Sequence, residues 1–152
     1  MGQIEDPQHG DDEPEHRTVF SAPAKYSACE CFVRCFLDEV VTRGDLLVVV
    51  YDAEPSQPCQ DFVSDALRFS VGERRQIQDA PGYLIGYEER ERAIALFALM
   101  SCFMWKCFLY AEHDQITLYN WEGEIFDAWT ASELKSGVIN NIIKNFELDL
   151  RS

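Results

Sequence analysis

The chain has 152 residues, 47% of them apolar and 12% aromatic, and 27 acids against 13 bases give a formal charge of −14. This length and apolar content fit one well-filled core better than two independent domains, and the acidity disfavours nucleic acid and anionic membrane surfaces, whose phosphates it repels. The longest apolar run, from Ala93 to Trp105, has 13 residues and includes Ser101, too short to cross a bilayer.

Residues 1–22 are expected to be a flexible acidic tail, with a single folded domain over 23–152. The first 16 residues hold six acids (Glu5, Asp6, Asp11, Asp12, Glu13, Glu15) and no Lys or Arg, and no apolar periodicity offsets the entropy of ordering them. No basic stretch followed by an apolar run is present, so no targeting segment is read and a cytoplasmic location is expected. Acidity also serves simply to keep a small protein soluble.

Ser27-Ala28-Cys29-Glu30 has the form of a capping box, in which Ser27 would accept an amide proton and Glu30 would reach back. Behind it Phe32, Val33, Phe36, Leu37, Val40 and Val41 recur at helical spacing, and Arg43-Gly44 offers a stop. The β-branched run Leu46 to Tyr51 predicts a strand covered on both faces, inside a sheet.

After a turn-rich stretch, Pro58 suits the start of a short helix to about Phe69 with Phe62, Val63, Ala66 and Leu67 inward. Residues 70–82 predict a loop carrying Arg74 and Arg75, a local excess of positive charge. Tyr83 to Tyr87 predicts a brief strand, and the acids of 88–91 suit the positive start of a helix that runs through the apolar stretch to Met104.

Beyond Trp105, expected in the core, the period changes from helical to alternating. Two strands meeting at His113-Asp114 and a third from Glu124 to Trp129, after a turn at Glu122-Gly123, predict a three-stranded antiparallel meander. A second capping box at Thr130-Ala131-Ser132-Glu133 opens a closing helix whose inner face is Leu134, Val138, Ile142 and Phe146, reinforced by Ile139 and Ile143. The expected fold is α+β: an antiparallel sheet of about four to five strands, ending in the meander and packed by three to four helices.

No catalytic constellation accompanies this pattern. His113 falls at a turn, about 20 Å along an extended strand from Cys107, beyond the reach a thiolate and its base need. Glu122, Glu124 and Asp127 have the spacing of a solvated acidic face, and no phosphate-binding glycine loop, HExxH, EF-hand or GxSxG motif is present. The six cysteines (Cys29, Cys31, Cys35, Cys59, Cys102, Cys107) form no CxxC pair, and reduced thiols are expected. No cofactor and no metal are expected; a cluster of Cys29, Cys31 and Cys35 is disfavoured because helical spacing turns Cys29 away from the other two.

Between Cys107 and Glu133 lie six carboxylates (Glu112, Asp114, Glu122, Glu124, Asp127, Glu133), interleaved with Tyr110, Tyr119, Trp121 and Trp129, and no Lys or Arg. With Cys107, Leu109, Ala111, Ile116 and Leu118 toward the helices, alternation puts Phe108, Tyr110, Thr117, Tyr119 and Trp121 on the opposite face. Either a helix covers that face, making the aromatics core, or they form an exposed patch beside unpaired acids, suited to a basic partner.

The run Gly82-Tyr83-Leu84-Ile85-Gly86-Tyr87, the apolar helix ending Phe103-Met104-Trp105-Lys106-Cys107-Phe108-Leu109-Tyr110, and the strand entry Trp121-Glu122-Gly123-Glu124-Ile125 together resemble small bacterial immunity-like proteins of polymorphic toxin systems. The resemblance covers about 50 residues, 82–129, in which an apolar helix ends in an aromatic turn and feeds a meander with acidic connections. It implies a non-catalytic cytoplasmic inhibitor that occludes a basic toxin domain, with Tyr110, Glu112, Asp114, Tyr119, Trp121, Glu122, Glu124 and Asp127 as contacts. Two alternatives stay open: a small enzyme or ligand-binding domain with a pocket between the meander and the first helix, and a regulatory adaptor that uses the acidic tail itself.

Overall fold

The computed structural model describes residues 16–53, 57–70, 72–77 and 79–151. In chain order these form β1 (His16–Ser21), α1 (Tyr26–Val40), β2 (Leu46–Asp52), α2 (Pro58–Ser70), β3 (Gly82–Ile85), a 3-10 turn (Tyr87–Glu89), α3 (Arg90–Cys102), β4 (Lys106–Ala111), β5 (Ile116–Trp121), β6 (Ile125–Thr130), α4 (Glu133–Asn145) and β7 (Leu150–Arg151). The class is α+β as expected, with four helices and one open antiparallel sheet of seven strands among the described residues, in the order β3-β2-β4-β5-β6-β1-β7.

The meander forms as its alternation predicts, with Phe108 opposite Tyr119 and Tyr119 opposite Asp127. β2 lies inside the sheet between β3 and β4. The two strands that raise the count are β1 and β7. His16–Ser21 was expected to belong to the polar tail, but it pairs with β6 over its whole length and then accepts β7 on its other edge. The correction has a tertiary cause: a six-residue strand with one fully buried side chain, Phe20, carries too little local signal, and its partner strand lies over 100 residues away. Residues 1–15 of that expected tail lie outside the described residues.

One face of the sheet packs on α1, α3 and α4. At its centre Phe32 of α1 meets Phe20 and Phe126 with ring centroids 5.4 and 5.8 Å apart, and Phe97 of α3 reaches Phe126 at 5.5 Å. Each such buried ring contributes about 2–3 kcal/mol of transfer free energy. Trp105 is core, as expected, and all six cysteines are unpaired. Burial pushes the thiols of Cys29 and Cys107 up to about 12, so both pack as small apolar groups.

Neither capping box forms where the sequence pattern places it. α1 is already helical at Tyr26, with Lys25 in the extended N-cap position, so Ser27 lies within the first turn and caps nothing. In α4 the cap is Ser132, whose hydroxyl accepts from the Lys135 amide at 3.3 Å; Thr130 is still strand, and its hydroxyl accepts from the Ser132 amide at 3.1 Å. The inner face of α4 is Ile139, Ile142 and Ile143, while Leu134 points to solvent.

α2 departs furthest from expectation. Its buried residues are Ser64 and Arg68, whereas Phe62, Val63, Ala66 and Leu67, predicted to point inward, are all exposed. The Arg68 guanidinium, 0% exposed, explains the inversion. It donates to the carbonyls of Arg75 (2.9 Å), Gln76 (3.2 Å) and Ala80 (2.9 Å) and to the Tyr83 hydroxyl (2.9 Å). Five charge-assisted bonds to these four oxygens outweigh the burial of the helix's apolar side.

Candidate functional site

The face of the sheet opposite the helices holds a second apolar cluster drawn from strands alone: Val49, Phe108 and Tyr119 are buried, with Leu47, Tyr110, Trp121 and Trp129 half-buried around them. The register builds it, because Phe108, Tyr119 and Asp127 are direct neighbours across β4, β5 and β6. Tyr119 is the hub. Its ring stacks on Trp121 at 5.9 Å with a 20° interplanar angle and touches Phe108 and Trp129 at 5.4 Å each. Tyr119 is only 2% exposed, sealed by its neighbours rather than by a helix, so Trp121, Tyr110 and Trp129 form the accessible rim. Tyr51, from β2, extends the patch, edge-on to Trp121 at 6.3 Å.

The acids behave less uniformly than their spacing suggests. Asp127, 0% exposed, is fixed on this face by Arg17, whose Nε and Nη2 donate at 2.9 and 2.7 Å, and by the Trp129 indole N–H at 2.7 Å. Arg17 also lies over the Trp129 ring at 5.3 Å, so the pair is part of the aromatic floor and not a free contact. Asp114 is likewise taken. Its carboxylate accepts from the Thr42 amide and hydroxyl, both at 2.9 Å, and from the Lys135 ammonium. Burial raises its pKa, but these donors prevail and hold the carboxyl at about 2.

Glu122 lies 3.1 Å from Lys106 Nζ, which also bonds Asp52 at 2.9 Å. Two carboxylates on one ammonium keep the lysine pKa raised and leave a net negative charge beside Tyr51 and Trp121. Glu112 and Glu124 are exposed.

The segment 107–133 thus gains its cations from outside: Lys106 just before it, Lys135 just after it, and Arg17 from β1. Of the eight residues predicted to make contact, Tyr110, Tyr119, Trp121 and Asp127 share the open face. Glu112 and Asp114 lie in the β4–β5 turn, while Glu122 and Glu124 lie in the β5–β6 turn at the other end of β5, about 20 Å away along a six-residue strand. Missed by the sequence reading were Tyr51, Asp52 and Arg17. Tyr51 was visible as the last, outward residue of the β2 run, but Arg17 became legible only once β1 was known to pair.

His113 occupies the turn as expected, accepting from Arg43 Nε at 2.8 Å. A notch of about 320 Å³ lies between the β5–β6 turn and the chain entering α1, lined by Pro23, Ala24, Cys102, Met104, Glu122 and Glu124. No helix among the described residues is long and apolar enough to cross a membrane. The chain matches no protein-family model, no curated protein and no solved structure.

Proposed function

We propose that this protein is a non-catalytic acidic binding protein, an immunity-type inhibitor that occupies the active surface of a basic toxin domain in the cytoplasm. The observation that carries the reading is the aromatic face of the sheet. Its rim residues Tyr51, Tyr110, Trp121 and Trp129 sit on a rigid seven-stranded support, and large rings fixed in this way give contact area at little entropic cost. The Asp52–Lys106–Glu122 cluster at one end supplies excess negative charge for a partner's Lys or Arg, and the net charge of −14 steers the encounter. In this reading Tyr119, Asp127 and Asp114 act from behind: the first two hold the rings in place, and the third fixes the turn that presents Glu112.

The test is affinity purification of the tagged chain from its native cells with mass spectrometry, comparing the parent with Trp121→Ala/Tyr51→Ala, with Glu112→Lys/Glu122→Lys/Glu124→Lys, and with a form lacking residues 1–15. A basic protein retained by the parent and lost, or weakened at least roughly tenfold, in the first two variants supports the reading. Retention in both, with loss only on removal of 1–15, shifts recognition to the acidic segment and overturns the sheet face as the interface.

A further inference from the structure

α2 and α3 present matched faces to one another without closing. Val63, Leu67 and Ser70 follow one another on α2, and Arg92, Ala95, Leu96 and Leu99 on α3; with Tyr26 and Tyr83 they bound a groove of about 310 Å³. Helices carrying such seams ordinarily approach to about 8–10 Å and bury them. Here Arg68 holds α2 down on the carbonyls of Arg75 and Ala80 and on Tyr83, which leaves Val63 and Leu67 more than one-third exposed. A strut made of hydrogen bonds therefore maintains an apolar opening.

The polar groups at this opening are few. Arg92 is the charged residue of the lining; it bonds Glu89 at 3.1 Å through one nitrogen of a guanidinium that has five N–H donors. Tyr26 keeps its phenol proton well beyond neutral pH, because burial and then Glu30 raise its pKa, so it offers an O–H donor. The Ser70 hydroxyl is already spent, donating to the Leu67 carbonyl at 2.6 Å. An apolar concavity of this size with two donor side chains on its walls, Arg92 and Tyr26, has the composition of a small-molecule site, and a donor beside a cation selects an anionic acceptor.

We infer that the α2–α3 groove binds a small apolar carboxylate, its hydrocarbon part between Leu67, Leu96 and Leu99 and its carboxylate on Arg92 and Tyr26. At roughly 30 Å³ for each water-sized group, the volume admits about ten heavy atoms, the size of octanoate or a phenylalkanoate. The site lies on the helical side of the sheet and is independent of the proposed inhibitor face.

The experiment is an amide-resolved NMR titration of the full chain with sodium octanoate, with octylamine and octanol as matched probes. Ala95→Trp fills the groove from an exposed position, and Arg92→Gln removes the cation. Saturable octanoate shifts on α2 and α3, abolished by Ala95→Trp and weakened roughly tenfold or more by Arg92→Gln, with octanol indifferent to Arg92→Gln, support the assignment. No saturable shift at millimolar octanoate overturns it. So do octylamine or octanol binding as tightly as octanoate, which would show that the cation selects nothing. Concentration-dependent self-association of the parent that Ala95→Trp abolishes would make a second copy of the chain the occupant, and would equally overturn it.

Discussion

A methyl group added to Gly123 would lie 2.3 Å from the carbonyl oxygen of Ser101, closer than any Cβ sits in a folded protein. The β5–β6 turn is thus pressed onto the C-terminal end of α3. Asn120, fully buried, completes the junction by accepting from the Gly123 amide at 2.8 Å and donating to the Trp105 carbonyl at 2.7 Å. Because the obstructing atom is backbone, and Gly123 has φ +72°, Gly123→Ala should cost about 3 kcal/mol. Gly72 also has positive φ but meets nothing within 4 Å, so Gly72→Ala should cost only about 1 kcal/mol. Urea unfolding of both variants checks the difference; equal losses would mean that the Ser101 contact is not closed in solution.

The Asp114 clasp makes an acid-limb prediction. Its carboxyl sits at about 2 in the folded protein against an ordinary 3.8, so the ionised form is favoured by folding. The associated stability, about 2 kcal/mol, should be fully present above pH 4 and fade as pH falls toward 2. Asp114→Asn should lower stability by about that amount at pH 7 and flatten this part of the stability curve, as read by denaturant titrations between pH 2 and 6. A variant whose acid limb keeps the parent's slope would show that the Lys135 and Thr42 contacts are not what depresses the carboxyl.

Arg17 and Asp127 join the first strand to the sixth across 110 residues of sequence. Removing Arg17 alone leaves a carboxylate without its cation in an apolar setting, where the cost is large, about 3 kcal/mol. Asp127→Ala together with Arg17→Ala should recover part of that loss. A double-mutant cycle is expected to give a coupling of about 1.5–3 kcal/mol, reduced from a fully buried value because Arg17 is half in solvent. Coupling below about 0.5 kcal/mol would reduce Arg17 to a surface ornament and leave Trp129 to hold Asp127 alone.

The parts of the fold that could be read from the chain are those whose instructions are local. The meander follows from strict alternation, and β2 from an unbroken β-branched run flanked by Asp45 and Asp52. The parts that escaped depend on remote partners. α2 looked like an amphipathic helix with its apolar side inward, yet Arg68 found four oxygen acceptors supplied by a loop and a strand further along the chain. Ser27 and Thr130 satisfy the capping pattern as letters, but the chain enters α1 at Tyr26 and keeps Thr130 in β6. The aromatic side of the candidate site was therefore legible, and its charge state was not: the cations that neutralise Asp114, Glu122 and Asp127 come from outside the acidic stretch.

β1 also orders events during synthesis. Its place between β6 and β7 is complete only once both have left the ribosome, so while α1, β2 and α3 are being made Phe20 has Phe32 of α1 to meet but not Phe126 of β6. From the emergence of β6 until β1 docks on it, β6 presents a bare edge beside a nascent aromatic core, the condition under which chains pair with their neighbours. The closing step for this molecule is accordingly the return of its earliest described strand to its latest ones, and the rate of that return sets how long the unfinished sheet is open to other chains.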